Sequence, residues 1–332
     1  MRKIFFIISF FVCLLTAPAI AQHVTLLQQG KHTSIRGLSV VDDSVAWISG
    51  SRGNIAITTN GGKSWTWQQV KGFETADFRD IEAFSAKDAV IIGSGTPALI
   101  LKTTDGGANW QVKYRNTDTS YFLDAMDFDA PTHGLVLGDP IKNKFLLLET
   151  NDSGDTWHVF KSLPDAQKGE AAFAASGTCL AITNGIINII SGGTTTHLLS
   201  ALIKNPVWHI VPVPITHGKS STGSFSIAER KLIVGGNYAK DKLTDSTACY
   251  SIDNGKTWLP AATSPAGFQS GVEQVSGKIF VATGTSGSNI TLDGGKTWTK
   301  IDNISYNVCR KAKHGKLILF AGDSGKIGLL KF

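Results

Sequence analysis

The pattern Ser/Thr-x-Asp/Asn-x-Gly-x-Ser/Thr/Asn-Trp occurs five times along the 332 residues, and nothing else in the chain restricts its fold as strongly. It reads TTNGGKSW from Thr58 to Trp65, TTDGGANW from Thr103 to Trp110 and TNDSGDTW from Thr150 to Trp157. It returns as SIDNGKTW from Ser251 to Trp258 and TLDGGKTW from Thr291 to Trp298. The closing tryptophans lie 45, 47, 101 and 40 residues apart. The long interval holds two units, and Trp208, 51 residues after Trp157 and 50 before Trp258, marks a degenerate copy that has lost its motif. Such a period means copies of one supersecondary unit packed side by side.

Around each motif the chain alternates apolar and polar residues in the manner of strands. The first unit offers Ile35–Val41, Val45–Ser49, Asn54–Thr59 and Trp65–Val70; the second offers Phe78–Phe84, Ala89–Gly93, Ala98–Thr104 and Trp110–Tyr114. No segment carries a helical period. Four short strands per unit predict an all-β, seven-bladed β-propeller. The C-terminal unit has only three strands, Asn307–Ala312, Lys316–Ala321 and Lys326–Phe332. The spare segment Val24–Gln28 is expected to supply the fourth and so close the last blade, removing an exposed sheet edge.

The motif itself resembles the Asp-box (BNR) repeat, and each of its residues has a structural task. The acid or amide (Asn60, Asp105, Asp152, Asp253, Asp293) is expected to accept backbone N–H bonds about two residues on, as in an Asx-type turn. The glycine (Gly62, Gly107, Gly154, Gly255, Gly295) takes a positive φ. The tryptophan (Trp65, Trp110, Trp157, Trp258, Trp298) starts the next strand and buries its ring against the neighbouring unit. The spacing lacks the alternating acids and closing Glu of an EF-hand, so these loops read as architecture and not as calcium sites.

Arg2 and Lys3, the apolar run Ile4–Leu15 and the small residues Ala17-Pro18-Ala19-Ile20-Ala21 read as a cleavable secretory signal over 1–21, with cleavage near Ala21-Gln22. The run is too short for a transmembrane helix. The expected product is one exported domain, 22–332, periplasmic or extracellular and monomeric. Without Arg2 and Lys3 the formal charge falls from +6 to +4, thinly spread, which excludes nucleic acid as a partner. The remaining cysteines, Cys179, Cys249 and Cys309, are odd in number and sit in apolar segments. They read as buried thiols, with a single pair left open. The histidines are scattered, with no metal-ligand spacing, and neither G-x-G-x-x-G before a helix nor G-x-S-x-G is present. No metal or cofactor is expected.

Motif loops join third and fourth strands, so functional groups are sought on the opposite, upper face, where loops on a rigid scaffold carry function. The openings of the first strands hold Arg36, Arg79, Asp80, Asp124, Glu170, Ser224, Gln269 and Arg310. Loops between second and third strands add Arg52, Asp139, Lys142, Asn237, Tyr238 and Asp323. Arginines and carboxylates around one channel mouth could clamp an anionic or polyhydroxylated ligand; they could equally pair among themselves. Asp80 with Glu170 would be the acid and base of a glycan-active enzyme. Sialidases share Asp-boxes but have six blades and an Arg-Ile-Pro motif, where this chain reads Ile35-Arg36-Gly37.

The whole mature chain is similar to exported BNR-repeat propellers of the photosystem II stability/assembly-factor-like family, some members of which bear the label oxidoreductase. The resemblance rests on FRDIEAF (Phe78–Phe84), HGLVLGDPIKNKF (His133–Phe145), GEAAFAASGT (Gly169–Thr178), IVGGNY (Ile233–Tyr238) and GTSGSN (Gly284–Asn289). At the places of Asn237 and Asn289 the family often carries Asp, and Gly-Arg at Asn143-Lys144, which weakens a charged or metal-binding role there. The resemblance implies a protein-binding scaffold. The leading expectation is therefore an exported, non-catalytic binding or assembly module that recognises a protein or glycan on its upper face. The alternatives are a glycan-active hydrolase and, further off, a redox enzyme.

Overall fold

The computed structural model describes residues 22–331, and the expected signal peptide lies outside the described residues. Within them the regular structure is strand, apart from a single 3-10 turn at Tyr238–Lys240. The strands form seven antiparallel sheets. Sheet 1 comprises Ile35–Val40, Ala46–Gly50, Asn54–Thr58 and Thr66–Gln69; sheet 2 comprises Asp77–Ala83, Ala89–Ser94, Ala98–Thr103 and Gln111–Asn116. Sheets 3, 4, 5 and 6 begin with Leu123–Ala130, Leu180–Thr183, Thr222–Ala228 and Gly271–Ser276. Sheet 7 holds Val308–Lys311, Ile318–Gly322 and Lys326–Lys331, and its fourth strand is His23–Gln28 from the other end of the chain. Val24 stands opposite Leu330 and Leu26 opposite Gly328, so the spare N-terminal strand closes the sheet as expected, one residue longer than read.

The first strands pack consecutively, and that of sheet 7 returns to that of sheet 1. Apolar residues fill the seams between neighbouring sheets. Trp47, Ile55, Phe78, Ile91 and Leu101 join sheets 1 and 2, and Ile35, Ala56, Val308 and Leu319 join sheets 7 and 1. These side chains are withdrawn from water on both faces of each sheet, which is why inner segments such as Thr222–Ala228 are buried throughout. Cys179, Cys249 and Cys309 are buried free thiols.

Trp208 stands directly before the fourth strand of sheet 4, His209–Pro212, the place the motif tryptophans take in their own sheets. Its indole Nε1 donates to Ser162 O at 3.0 Å. Sheet 4 departs from the expectation at its start. Glu170–Ala171 does not open the inner strand; it pairs with Gly192–Gly193, which in turn pairs with Gly223 and so extends sheet 5 to six strands.

The five motif loops share one hydrogen-bond pattern. The first hydroxyl (Thr58, Thr103, Thr150, Ser251, Thr291) accepts the glycine N–H at 2.8–3.0 Å. The side-chain oxygen of Asn60, Asp105, Asp152, Asp253 or Asp293 accepts the N–H four residues on, not two, at 2.8–3.0 Å. The span is longer than a simple Asx turn because the glycine must first fold under the loop. Its φ is 84° at Gly62, and a Cβ there would lie 3.2 Å from Leu27 and 3.5 Å from Leu319 of the preceding sheet. The loops therefore seal each sheet against its predecessor. Trp157, Trp258 and Trp298 are buried, whereas Trp65 and Trp110 are half-buried.

Candidate functional site

The ring of first strands leaves a cavity at each end of its axis. The upper one, of about 530 Å³, is lined by Arg36, Arg79, Asp124, Asp139 and Tyr238, together with Phe122, Phe173, Phe225, Phe268, Asn307 and Asp323. Local backbone irregularity puts several of them there. Register shifts occur between Ile35 and Gly37, between Phe78 and Asp80, between Leu123 and Ala125, and between Ser224 and Ser226. The extra residues are Arg36, Arg79, Asp124 and Phe225. A β-bulge turns one side chain out of the alternation and aims it where the regular pleat would not.

Asp80 belongs to the regular part of its strand, and for that reason it does not join this group. It lines the opposite cavity, of about 460 Å³, with Arg310, Glu82, Asp127, Glu229 and Glu273. Arg310 is the third residue of its strand, Val308–Lys311, and lines that same cavity, so both residues depart from the expectation of an upper mouth. The Asp80 carboxylate accepts the N–H groups of Ile81 and Met126 at 2.9 and 2.8 Å, tying sheet 2 to sheet 3. Burial lifts it to about 7 against the attraction of Arg310. Asp127 and Glu273 are likewise pushed up to about 7, in each case chiefly by desolvation.

Glu170 reaches neither cavity. It is buried, its Oε1 accepting from the Ser191 hydroxyl and facing His197 Nδ1 at 2.9 Å, and its Oε2 accepting from Gln167 N at 2.7 Å. Asp80 and Glu170 thus share no site, and the acid–base pair read from the sequence is not formed. Asn237 is also buried; its Oδ1 accepts Ala239 N at 3.0 Å and caps the 3-10 turn that presents Tyr238 to the upper cavity.

Within the upper cavity the charges are unequally engaged. Arg79 Nε donates to Asp77 Oδ2 at 2.8 Å, and its guanidinium lies 5.6 Å from the centroid of Phe122. Asp323 accepts from the Ser34 hydroxyl at 2.5 Å and from Asn307 Nδ2 at 3.0 Å. No hydrogen bond or ion pair reaches the Arg36 guanidinium among the described residues, and desolvation together with the nearby Arg79 pulls its pKa down. Asp139 Oδ1 accepts Ala172 N at 3.3 Å, and burial raises its pKa. Asp124 is almost wholly buried (1% exposed); it accepts from Ala174 N–H, and its Oδ2 has no partner among the described residues. Desolvation and then the adjacent Asp139 push its pKa well above the ordinary carboxylate range, despite Arg79.

Of the aromatic wall, only Tyr238 was anticipated from the sequence; Phe173, Phe225 and Phe268 were not. Phe173 stacks on Phe225 with centroids 4.0 Å apart and planes 7° from parallel, and Phe268 meets Phe225 edge-on at 4.7 Å. Tyr238, half-exposed at 53%, stands 6.2–6.5 Å from all three. The stack depends on glycine. A Cβ on Gly192 would press into the Phe173 ring and lie 2.7 Å from Gly223 Cα. One signal was available: phenylalanine recurs near the inner-strand openings, at Phe78, Phe122, Phe173, Phe225 and Phe268.

Among the described residues no group of three or more His, Cys, Asp or Glu could hold a metal ion. No helix among them is long and apolar enough to cross a membrane.

Strand-only sheets, arranged so that their first strands line an axis with a cavity at either end, define the β-propeller class. The model of the family described as "Photosynthesis system II assembly factor YCF48" matches residues 24–117. A photosystem II assembly lipoprotein, Ycf48, from Synechococcus sp. (strain CC9902) is 30% identical over 134 residues, 39% of this chain and 37% of that protein. The match thus spans little more than a third of the relative's length. Among solved structures, "YCF48 bound to D1 peptide" superposes with a TM-score of 0.66 at 15% identity, covering 94% of this chain and 97% of that one. Virginiamycin B lyase from Staphylococcus aureus reaches 0.67 at 12% identity, over 94% and 99% of the two chains. At these identities the structures share the fold alone. Over part of its length the chain is thus similar in sequence to photosystem II assembly factors.

Proposed function

We propose that residues 22–332 form a seven-bladed Asp-box propeller, exported after loss of residues 1–21, which acts as a non-catalytic scaffold and binds a protein partner at its upper mouth. The observation that carries this reading is the upper cavity. Bulges in three inner strands direct Arg36, Arg79 and Asp124 into one opening beside a stacked aromatic wall, while Arg36 and the Asp124 carboxylate keep unused hydrogen-bonding capacity. Exposed aromatic and arginine side chains in a concave site are the usual anchors of protein recognition. A propeller of the same shape is described as bound to a peptide, which supports a protein as the partner.

A glycan is the second reading, favoured by the Phe173–Phe225 stack, whose face suits a sugar ring. The test is affinity capture from the exported fraction of the source cells with the full chain. Wild type should enrich a protein that the Arg36→Ala/Arg79→Ala double variant does not, with the variant's thermal unfolding unchanged. Equal recovery by both overturns the upper-mouth reading, and turnover of a glycan substrate abolished by Asp124→Asn would replace scaffold with enzyme.

A further inference from the structure

The upper cavity is lined by three carboxylates, Asp124, Asp139 and Asp323, and two guanidiniums, with Asp77 paired to Arg79 outside that lining, and their engagement is uneven. Asp77 is taken by Arg79, and Asp323 is held by Ser34 and Asn307 with Arg36 nearby. Asp124 and Asp139 remain. They come from neighbouring strands of sheet 3, Leu123–Ala130 and His133–Ile141, and the segment 172–174 fixes both. Ala172 N–H binds Asp139 and Ala174 N–H binds Asp124. The residue between them is Phe173, the first ring of the aromatic wall. One carboxylate oxygen of Asp124 is buried in the cavity lining with no donor, which costs free energy unless a donor arrives from outside.

We infer that this pair is a subsite for an organic cation, the ammonium or guanidinium of a lysine or arginine side chain on the bound partner. The inference rests on the reading of the upper mouth as the binding face. An ammonium bridging Asp124 Oδ2 and Asp139 supplies the donors the site lacks. Phe173, Phe225, Phe268 and Tyr238 line the same cavity and accommodate the aliphatic stem, their ring faces favouring positive charge. The paired carboxylates also explain why the site need not repel itself when empty. Like charges held together out of water retain a proton, and a bound cation displaces it. The groups that face the pair are Arg79 and the buried thiol Cys179, with Arg36 and Asp323 in the same cavity. None of them provides the missing donor.

The test uses three small probes, the Nα-acetyl methylamides of lysine, arginine and norleucine, titrated into the full chain and followed by ligand-observed NMR. Lysine or arginine should bind at least about tenfold more tightly than the uncharged norleucine, a factor equivalent to about 1.4 kcal/mol. The preference should grow as pH rises and Asp124 loses its proton. Asp124→Asn should abolish it, and Asp139→Asn, measured in the same way, guards against misfolding of the first variant. A preference for one cation over the other identifies the side chain. Equal affinities for the three probes, or a preference that survives both substitutions, overturns the inference. If the capture experiment succeeds while the probes do not discriminate, only the cation subsite falls. If the probes discriminate but no partner is captured, the scaffold reading falls and the subsite stands.

Discussion

The carboxylates of the motif loops and the most deeply buried carboxylates of the channel are displaced in opposite directions. Asp152 and Asp253, on the rim, are drawn down to about 2, first by the side-chain hydroxyls of Thr156 and Thr257 and then by backbone N–H groups. Asp80, Asp127 and Glu273, in the channel, rise to about 7 because burial removes water faster than neighbours replace it. A rim aspartate spends its acceptor capacity inside its own loop. A channel carboxylate keeps some of it, as Asp124 Oδ2 does without a partner. The motif acids are thus chemically satisfied within their loops, whereas Asp124 in the channel is not.

If the rim only holds sheets together, damage there should reach stability and leave binding intact. Gly295→Ala has the largest expected effect, since φ is +94° and the new Cβ would lie 2.6 Å from Leu232 Cδ1. Urea unfolding should show a loss of about 2–4 kcal/mol from backbone strain and overpacking. A loss below about 0.5 kcal/mol would make the loop seal dispensable.

The opposed pKa displacements predict a stability maximum on the acid side of neutrality. For Asp80, Asp127 and Glu273 the folded value exceeds the unfolded one of about 4, so their contribution is full below about pH 4 and is lost as pH rises through about 7. For Asp152 and Asp253 the folded value lies below it, so their contribution is full above about pH 4 and is lost as pH falls through about 2. Tm should decline by several degrees between pH 5 and pH 8 and fall again in acid. Asp127→Asn keeps an acceptor for Ile182 N–H and should flatten the alkaline limb. A Tm constant from pH 5 to pH 8 would contradict the channel half of the comparison.

Smaller effects sharpen it. Asp152→Ala removes the acceptor for Thr156 N–H and should cost about 1 kcal/mol by chemical denaturation, as loss of a helix N-cap does. Arg36→Ala/Arg79→Ala should change stability by less than about 0.5 kcal/mol, because Arg36 makes no hydrogen bond or ion pair among the described residues and the Arg79–Asp77 pair is partly exposed. An Arg variant that unfolds as readily as Gly295→Ala would show the upper arginines to be architectural.

Strand positions were open to reading from the chain because their determinants are local. Alternation over segments such as Ile35–Val40 and Ala98–Thr103, punctuated by glycine-bearing loops, marks the strands of the first two sheets within a residue or two, whereas the inner strand of sheet 4 was misplaced. The N-terminal strand was legible for the same reason, with three strands at one end of the chain and a spare at the other. The site was legible only in part. Arg36, Arg79, Asp124, Asp139 and Tyr238 share a cavity, but Asp80 and Arg310 face the other one and Glu170 neither. Reading Asp80 as the counterpart of Arg36 misses by one residue. The bulge places Arg79 there, and in a period-two structure a slip of one exchanges faces.

By itself the sequence determined the repeat, the strands, the sealing loops and the pairing of the two chain ends, since each follows from short-range pattern and turn chemistry. Tertiary structure alone decided which charged side chain meets which. That depends on bulges, on the glycine contact that lets Phe173 lie on Phe225, and on the withdrawal of water around Asp124, none of which is a property of a residue and its near neighbours in the chain.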